Sequence, residues 1–212
     1  MPTENSYKIR TSKRDLFLRV APGHFATSHS HINYYIDVTT QKSRLSEARA
    51  AAEELVKTYA STSVVDTVLC LDGTEVIGTC IADELTKGNY TNMNAHKTIY
   101  IVTPEHTSGS QLIFRNSSMI KGKNVLVLAA SVTTGYTVLA AVEAIKYYGG
   151  FVAGIASLFA SVDECGGYPV RSLFNTKDLE GYASYPSHLC PMCKEGKKID
   201  ALVNSFGFSK LL

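Results

Sequence analysis

The chain contains 212 residues, of which 45% are hydrophobic, and this predicts one globular domain with a sizeable core and at most a small appended piece. The formal net charge of +2 argues against bulk electrostatic binding to nucleic acid or to an anionic membrane. Neither a signal peptide nor an apolar run of about eighteen residues is present, so we expect a cytoplasmic protein without a membrane or nucleic-acid partner. The five cysteines, an odd number without a secretory signal, predict reduced thiols.

Strands and helices alternate along the predicted chain. Residues 1–12 are polar, and residues 14–20 fit either a short helix or a strand. The helix over 43–59 is the clearest, because its apolar residues recur on one face at the 3.6-residue period. The other predicted segments are strands at 34–38, 64–71, 98–103, 125–128 and 151–161, and helices that end near residues 85 and 148. This alternation predicts a parallel sheet covered on both faces.

The strand that begins at residue 125 leads into a turn rich in hydroxyl groups. Residues 131–137 read Ser-Val-Thr-Thr-Gly-Tyr-Thr, and the apolar periodicity of a helix follows. A strand, such a turn and a helix together direct backbone N–H groups at a phosphate, and the helix dipole adds partial positive charge. The hydroxyls of Thr133, Thr134 and Thr137 can add donors. An ordinary capped helix without a ligand has the same pattern, so both interpretations stay open.

Three turns are expected at the carboxyl edge of this sheet, where ligands of parallel sheets bind. They are residues 72–75, residues 103–110, which include a polar loop, and residues 129–137. Because the three turns converge on one edge, a ligand site is favoured over three unrelated turns.

Three histidines lie close together near the amino terminus. His24, His29 and His31 are separated by only a few residues. No acid or thiol near them completes a recognisable ligand spacing, so a metal site at these histidines is not favoured.

A second candidate metal site lies in the tail, which is richer in Gly, Pro and Cys. Cys190-Pro-Met-Cys193 resembles half of a zinc knuckle. A structural zinc needs four ligands, which Cys165 and His188 would complete. The alternative, favoured by the weakness of a single C-x-x-C pattern, is a reduced and partly buried thiol pair.

Residues 125–137 resemble the phosphoribosyl-pyrophosphate motif of the type I phosphoribosyltransferases. That motif has four apolar residues, two acids, two variable residues and then Thr-Thr-Gly-x-Thr. Further segments extend the resemblance along nearly the whole chain, to the orotate phosphoribosyltransferases of one bacterial branch. They are Gly-His-Phe at 23–25, Tyr-Tyr-Ile-Asp at 34–37, Gly-Tyr-Pro-Val-Arg-Ser at 167–172, Tyr-Pro at 185–186 and Cys-Pro-Met-Cys-Lys-Glu-Gly at 190–196.

The resemblance implies an α/β fold with a Rossmann-like parallel sheet of about five strands flanked by helices. One domain, residues 1–212, would contain a core at 41–162 and a small hood from residues 1–40 and 163–212, and the protein would be a homodimer. The implied reaction transfers phosphoribosyl from 5-phosphoribosyl 1-pyrophosphate to orotate or another base, with Mg²⁺ on the released pyrophosphate. A nucleoside monophosphate is the corresponding product.

Site residues carried over from the resemblance fall into three groups. The 5′-phosphate would be bound by Ser131, Thr133, Thr134, Gly135, Tyr136 and Thr137, and pyrophosphate by the turn Asp72, Gly73, Thr74 and Glu75. Phe25, Tyr34 and Tyr35 would lie on the side of the base. Ordinary strand packing, with one tyrosine ring inward and one outward, is the alternative for the tyrosine pair.

The catalytic positions depart from the motif. Ala129 and Ala130 replace its two acids, and methyl groups can neither accept hydrogen bonds from ribose hydroxyls nor hold a hydrated Mg²⁺. Glu75 and Val76 replace the usual Gly-Gly pair of the pyrophosphate turn. The mobile loop lacks the usual Lys or Arg, and its only ionisable groups are Glu105 and His106.

Compensation for these losses would have to come from other cations. Arg19, Arg115 and Lys123 are the candidates that the sequence offers.

Two functions therefore follow from the sequence. The first, which the resemblance favours, is an orotate phosphoribosyltransferase or a relative with another base. The second, which the altered motif favours, is a homologue that has lost catalysis and binds a nucleotide or a phosphorylated sugar as a sensor or regulator. Saturable binding with turnover indicates the first function, and binding without turnover the second.

Overall fold

The computed structural model describes residues 6–10, 16–88, 92–95, 97–106, 111–204 and 207–211. The strands are β1 Tyr7–Arg10, β2 Phe17–Ala26, β3 His31–Asp37, β4 Thr67–Cys70, β5 Tyr100–Val102, β6 Glu105–His106, β7 Leu112–Ile113, β8 Asn124–Val132, β9 Phe151–Ala160, β10 Glu164–Cys165, β11 Tyr168–Asn175, β12 Ser184–Tyr185, β13 Ala201–Asn204 and β14 Gly207–Lys210. The helices are α1 Thr39–Ser43, α2 Leu45–Tyr59, α3 Glu75–Thr86, α4 Tyr136–Tyr147 and α5 Pro191–Lys194, with 3₁₀ turns at Ser117–Met119 and Ser187–Leu189.

The core is a six-stranded sheet in the order β10-β11-β9-β8-β4-β5. Its five longer strands run parallel, and only the short β10 is antiparallel to its neighbour. The central β8 is apolar because both of its faces are covered. The predicted parallel sheet of about five strands is therefore confirmed, although β10 and β11 carry the core sheet beyond the expected core boundary at residue 162.

Helices cover the two faces of the core sheet. Leu126 and Leu128 of β8 pack in one cluster with residues of α2 and α3, whereas Val125 and Val127 pack in a second cluster with residues of α4. This division follows from the alternation of side chains along a strand. The helix expected over 43–59 corresponds to α2, which begins at Leu45. A separate short helix, α1, precedes it, because Arg44 takes an extended conformation (ψ 116°) between the two.

The hood is a second sheet, built from both ends of the chain. Its strand order is β12-β3-β2-β13-β14, and β1 pairs with β2. All its pairs are antiparallel except β13 with β2. A small cluster that includes Phe25, Ile32, Tyr35 and Val203 forms the apolar interior of this sheet. The hood that the resemblance implied is thus present.

The loop expected at residues 103–110 leads into a small hairpin. Its first strand, β6, pairs with β7, and residues 107–110 lie outside the described residues. Among the helices that the structure describes, none has the length and apolar character to span a membrane.

Contact between Gly154 of β9 and Tyr59 of α2 gives a test of the packing. A Cβ atom added at Gly154 would lie 2.5 Å from Cε1 of Tyr59, whose hydroxyl donates a 2.8 Å hydrogen bond to the Ile155 carbonyl. We expect Gly154→Ala to lower the free energy of unfolding by about 1–3 kcal/mol, measured by urea denaturation.

A Tyr59→Leu background is the control for this effect, because it removes the ring that the new methyl group would strike. There, Gly154→Ala should be neutral or slightly stabilising, since alanine reduces the conformational entropy of the unfolded chain. An equal loss of stability in both backgrounds would contradict the packing described.

Candidate functional site

A cavity lies between the hood and the carboxyl ends of the core strands. The core contributes Asp72, which follows β4, and the turn after β8. The hood contributes the loop after β2 and residues of β3, and helix α1 contributes Lys42. The lining residues are Thr27, Ser28, His29, Ile32, Tyr35, Ile36, Val38, Thr39, Lys42, Asp72, Ala130, Ser131, Val132, Thr133, Thr134, Gly135, Tyr136, Thr137, Val138, Tyr182, Val203 and Asn204.

The turn after β8 leaves the first backbone N–H groups of α4 without a side-chain cap. Gly135 is the N-cap residue, with φ 78° and ψ −4°, and no acidic residue lies in the first turn of α4. These uncapped N–H groups and the positive end of the helix dipole favour an anion. All six residues predicted for the 5′-phosphate, Ser131, Thr133, Thr134, Gly135, Tyr136 and Thr137, line the cavity.

Local contacts hold this turn in place. Ser161 Oγ donates a 3.0 Å hydrogen bond to the Thr133 carbonyl, and Cys165 Sγ lies 3.4 Å from the Gly135 carbonyl oxygen. A Cβ atom at Gly135 would lie 3.0 Å from that sulfur, and the positive φ is unfavourable for other residues. Both backbone conformation and space therefore favour glycine at this position.

The end of β8 carries no acid where the family motif has two. Ala129 and Ala130 are 0% and 2% exposed and belong to the two opposite core clusters. Of the described residues that line the cavity, Asp72 is the only carboxylate. The residues present at the end of β8 therefore do not fit a hydrated Mg²⁺ that is held by protein carboxylates.

The turn after β4 is held tightly by its own hydrogen bonds. Asp72 and Gly73 both have positive φ, 59° and 76°. Thr74 is fully buried, and its hydroxyl lies 2.8 Å from the Leu71 carbonyl oxygen. Glu75 begins α3 and accepts a 3.3 Å hydrogen bond from the Thr103 hydroxyl. Of the four residues predicted for pyrophosphate, only Asp72 is among those that line the cavity.

Lys42 is a cavity residue that the sequence did not indicate. Its Nζ donates a 2.9 Å hydrogen bond to the Asp72 carbonyl, and it is the only Lys or Arg among the described lining residues. Burial lowers the pKa of Lys42, and the nearby carboxylates of Asp72 and Glu75 oppose this shift. No local pattern marks this residue, because the turn from β3 into α1 brings it across the sheet edge.

The cations named from the sequence do not line this cavity. Arg115 forms an ion pair with Glu105. Lys123 lies over the ring of Tyr100 at 5.8 Å, and Arg19 lies 5.9 Å from the centre of the Phe17 ring.

One of the three aromatic residues expected beside the base lines the cavity. Tyr35 does so, and its burial with the nearby Asp37 carboxylate raises the pKa of its hydroxyl to about 12. Phe25 is 1% exposed and packs 6.0 Å from the Tyr35 ring inside the hood. Tyr34 packs against the core cluster that contains α2, and it is not among the lining residues.

A ring contact joins the hood to the phosphate turn. The centres of the His29 and Tyr136 rings are 4.9 Å apart, with the ring planes inclined by 42°. Tyr136 is 60% exposed, so a ligand can displace or stack on its ring. His29 therefore belongs to the rim of this cavity and not to a group of three metal-binding histidines.

The cysteines of the C-x-x-C pattern lie in the hood, outside the lining of the cavity. Cys190 and Cys193 are grouped there with His24 and His31. Cys165 Sγ lies 3.4 Å from the Gly135 carbonyl oxygen, and His188 lines a second pocket, which shares Thr133, Thr134 and Tyr136 with the cavity. The prediction that Cys165 and His188 complete a zinc site with these cysteines was therefore wrong. The fold instead brings His24 of β2 and His31 of β3 to the cysteines.

Two known proteins with a similar chain are orotate phosphoribosyltransferases. The orotate phosphoribosyltransferase of Chlorobaculum parvum is 30% identical over 182 residues, which are 84% of this chain and 86% of that protein. The orotate phosphoribosyltransferase of Chlorobium phaeobacteroides is 31% identical over 183 residues, 84% of this chain and 86% of that protein. No protein-family model matches.

Solved structures show a similar fold. The orotate phosphoribosyltransferase of Mycobacterium tuberculosis, in complex with Fe(III) dicitrate, superposes with a TM-score of 0.54 at 20% identity. The superposition covers 76% of this chain and 92% of that one.

The position of Lys42 beside the turn after β4 predicts that its positive charge contributes to the binding of an anion in the cavity. Lys42→Gln should weaken binding of inorganic pyrophosphate by about tenfold or more, because a charge-assisted hydrogen bond is lost. Isothermal titration calorimetry at low ionic strength measures the affinity. Lys57→Gln is the matched control, since Lys57 is exposed on α2 and pairs with Glu54 at 2.9 Å. Equal affinity of the wild type and Lys42→Gln for pyrophosphate would contradict a contribution of Lys42 to anion binding.

Proposed function

This chain belongs to the type I phosphoribosyltransferase family, close to its orotate phosphoribosyltransferases, and from that premise we propose that its cavity binds a ribose 5-phosphate compound. The proposed ligand is a nucleoside monophosphate or 5-phosphoribosyl 1-pyrophosphate. Binding occurs without efficient transfer of the phosphoribosyl group. The protein would then act as a sensor or regulator, and the homodimer and cytoplasmic location expected from the sequence belong to the same proposal.

The observation that carries the proposal is the uncapped amino-terminal turn of α4. Gly135 and the following residues offer N–H groups, and Thr133, Thr134 and Thr137 line the same cavity. A dianionic phosphate would receive charge-assisted hydrogen bonds there, which are about twice as strong as neutral ones. Tyr35 on the hood side is placed to contact an attached base or sugar.

The absence of acids at the end of β8 supports binding over transfer. Ala129 and Ala130 supply no acceptor for the ribose hydroxyls. Catalysis requires interactions that strengthen in the transition state, and each loss of about 1.4 kcal/mol slows the reaction tenfold. The missing acids and the loop without Lys or Arg therefore predict a loss of many orders of magnitude in rate.

Transfer of phosphoribosyl to orotate or another base is the second candidate. The names of the similar proteins favour it, and so does the position of Lys42. In such an enzyme, the Lys42 ammonium would offset the negative charge that accumulates on the departing pyrophosphate. Tyr35, which lines the cavity on the hood side, would orient the base by contact.

Titration with orotidine 5′-monophosphate tests the binding proposal. We expect saturable binding by calorimetry, with an affinity that does not depend on Mg²⁺. Thr134→Val should weaken it about tenfold or more, because one hydroxyl donor to the phosphate is lost. Thr79→Val is the matched control, since Thr79 is exposed and its hydroxyl bonds only within α3, to the Glu75 carbonyl. Unchanged affinity in Thr134→Val would contradict the proposal.

A turnover assay separates the two candidates. With 5-phosphoribosyl 1-pyrophosphate, orotate and Mg²⁺, we expect pyrophosphate release no faster than in protein-free solution. Release that scales with protein concentration and is lost in Thr134→Val would favour the transferase instead. Both outcomes are informative because the binding measurement with the nucleotide is made on the same preparation.

A further inference from the structure

Four side chains from separate parts of the chain converge in the hood. His24 comes from β2, His31 begins β3, Cys190 precedes α5, and Cys193 lies within α5. Each offers one nitrogen or sulfur atom, and these four atoms all lie within 4.8 Å of one another. None of these four residues is among those that line the cavity that holds the proposed phosphate site.

Four of the six separations between these atoms are close to the edge lengths of a metal coordination tetrahedron. His24 Nε2 lies 3.1 Å from His31 Nδ1, 3.5 Å from Cys190 Sγ and 3.6 Å from Cys193 Sγ. Cys193 Sγ lies 3.2 Å from His31 Nδ1. Tetrahedral zinc with ordinary Zn–N and Zn–S bond lengths places such ligand atoms about 3.3–3.8 Å apart.

A hydrogen bond to the His24 ring determines its tautomer, and with it the nitrogen whose lone pair faces the cluster. Its Nδ1 lies 2.9 Å from the carbonyl oxygen of Lys197. A carbonyl oxygen only accepts, so Nδ1 carries the proton and Nε2 is left with its lone pair directed at His31 and both cysteines. A metal-binding histidine usually has this arrangement, with its second nitrogen donating to a carbonyl or carboxylate.

Hydrogen bonds alone do not satisfy this cluster well. Three potential donors, from His31, Cys190 and Cys193, surround the single lone pair of His24 Nε2. One lone pair accepts one well-aligned hydrogen bond, whereas a cation at the centre is shared by all four atoms.

Burial of the cluster also suits a bound ion. His24 and Cys190 are 0% exposed, His31 is 9% exposed, and Cys193 is exposed. Three of the four residues are therefore buried, and solvent reaches the cluster at Cys193. Both thiols would bind as thiolates and release their protons to solvent when the metal enters.

We propose that His24, His31, Cys190 and Cys193 form a structural Zn²⁺ site. Two nitrogen and two sulfur ligands in a tetrahedron are characteristic of zinc, and a full set of four protein ligands leaves no position for substrate. The site is structural because it joins the hood strands β2 and β3 to the C-terminal segment.

The zinc would reinforce a link that hydrogen bonds already form. The His24 N–H donates to Asp200 Oδ2 at 2.7 Å, and the Asp200 N–H donates to the His24 carbonyl at 2.7 Å. The apolar cluster inside the hood is small, and small hydrophobic cores are commonly supported by a metal. The zinc also anchors both ends of the 24–31 loop, whose residue His29 contacts Tyr136.

Metal analysis of the purified full chain tests the proposal. After zinc-supplemented expression and exhaustive dialysis, inductively coupled plasma mass spectrometry should find about one zinc per chain. Cys193→Ser should lose most of it, and because Cys193 is exposed, its circular dichroism spectrum should show a folded chain. Cys80→Ser, which changes a buried cysteine of α3, should keep the metal. Substoichiometric zinc in the wild type, or full zinc in Cys193→Ser, would overturn the proposal.

Cobalt substitution gives a readout that does not depend on any variant. Refolding the wild type with Co²⁺ should give the strong visible bands of a tetrahedral ion and a thiolate charge-transfer band in the near ultraviolet. Weak octahedral bands would overturn the proposed ligand set. A chelator should lower the melting temperature of the zinc-loaded chain by roughly 10 °C, and an unchanged melting temperature would contradict the structural role. None of these measurements involves a nucleotide, so their outcome is independent of the proposed phosphate site.

Discussion

Gly135 holds the backbone conformation on which the whole candidate site depends. Its positive φ lets the chain pass from β8 into α4 through the short turn of residues 133–135, so that the residues that begin the helix line the cavity. The sulfur of Cys165 lies directly behind this residue, and a side chain there would move the turn. The strand, the turn and the helix each have ordinary geometry, but the junction between them depends on the backbone conformation of Gly135. The hood lies across the cavity from this junction.

The motif at β8 has two halves, the end of the strand and the turn that follows it, and this chain retains only the polar groups of the turn. The turn after β8 retains groups that bind an anion in its ground state. The preceding Ala129 and Ala130 have become part of the hydrophobic core, where methyl groups pack on both faces of the sheet. Binding affinity and catalysis rest on different interactions, so a fold can keep the first while losing the second. This difference underlies the choice between a binding protein and an enzyme.

Local sequence patterns predicted the layers of the fold well. Apolar runs located the parallel strands, and the 3.6-residue period located α2, because both signals arise from burial against the nearest layer. The short helix α1 before Arg44 was not predicted, since its five residues, Thr39–Ser43, carry no apolar period. The five-strand parallel core and the hood made from both ends of the chain followed from the family resemblance and are confirmed by the sheet order.

Residues that act at a distance in sequence were harder to predict. Lys42 reaches the β4 turn only because the hood hairpin carries α1 across the sheet edge. His24 and His31 meet Cys190 and Cys193 only because β2 and β3 pair beside the C-terminal segment, more than 150 residues away along the chain. In the sequence, the two histidines and the two cysteines each formed an incomplete set of metal ligands. Their combination is a property of tertiary structure, which spacing in one segment does not contain.

A crystal structure with orotidine 5′-monophosphate would show whether the turn before α4 binds the phosphate, because it locates the phosphorus atom. The phosphate oxygens should accept hydrogen bonds from backbone N–H groups of residues 135–137 and from the hydroxyl of Thr134, with the base on the side of Tyr35. A nucleotide bound elsewhere, or a phosphate bound only through Lys42 and away from the α4 turn, would contradict it.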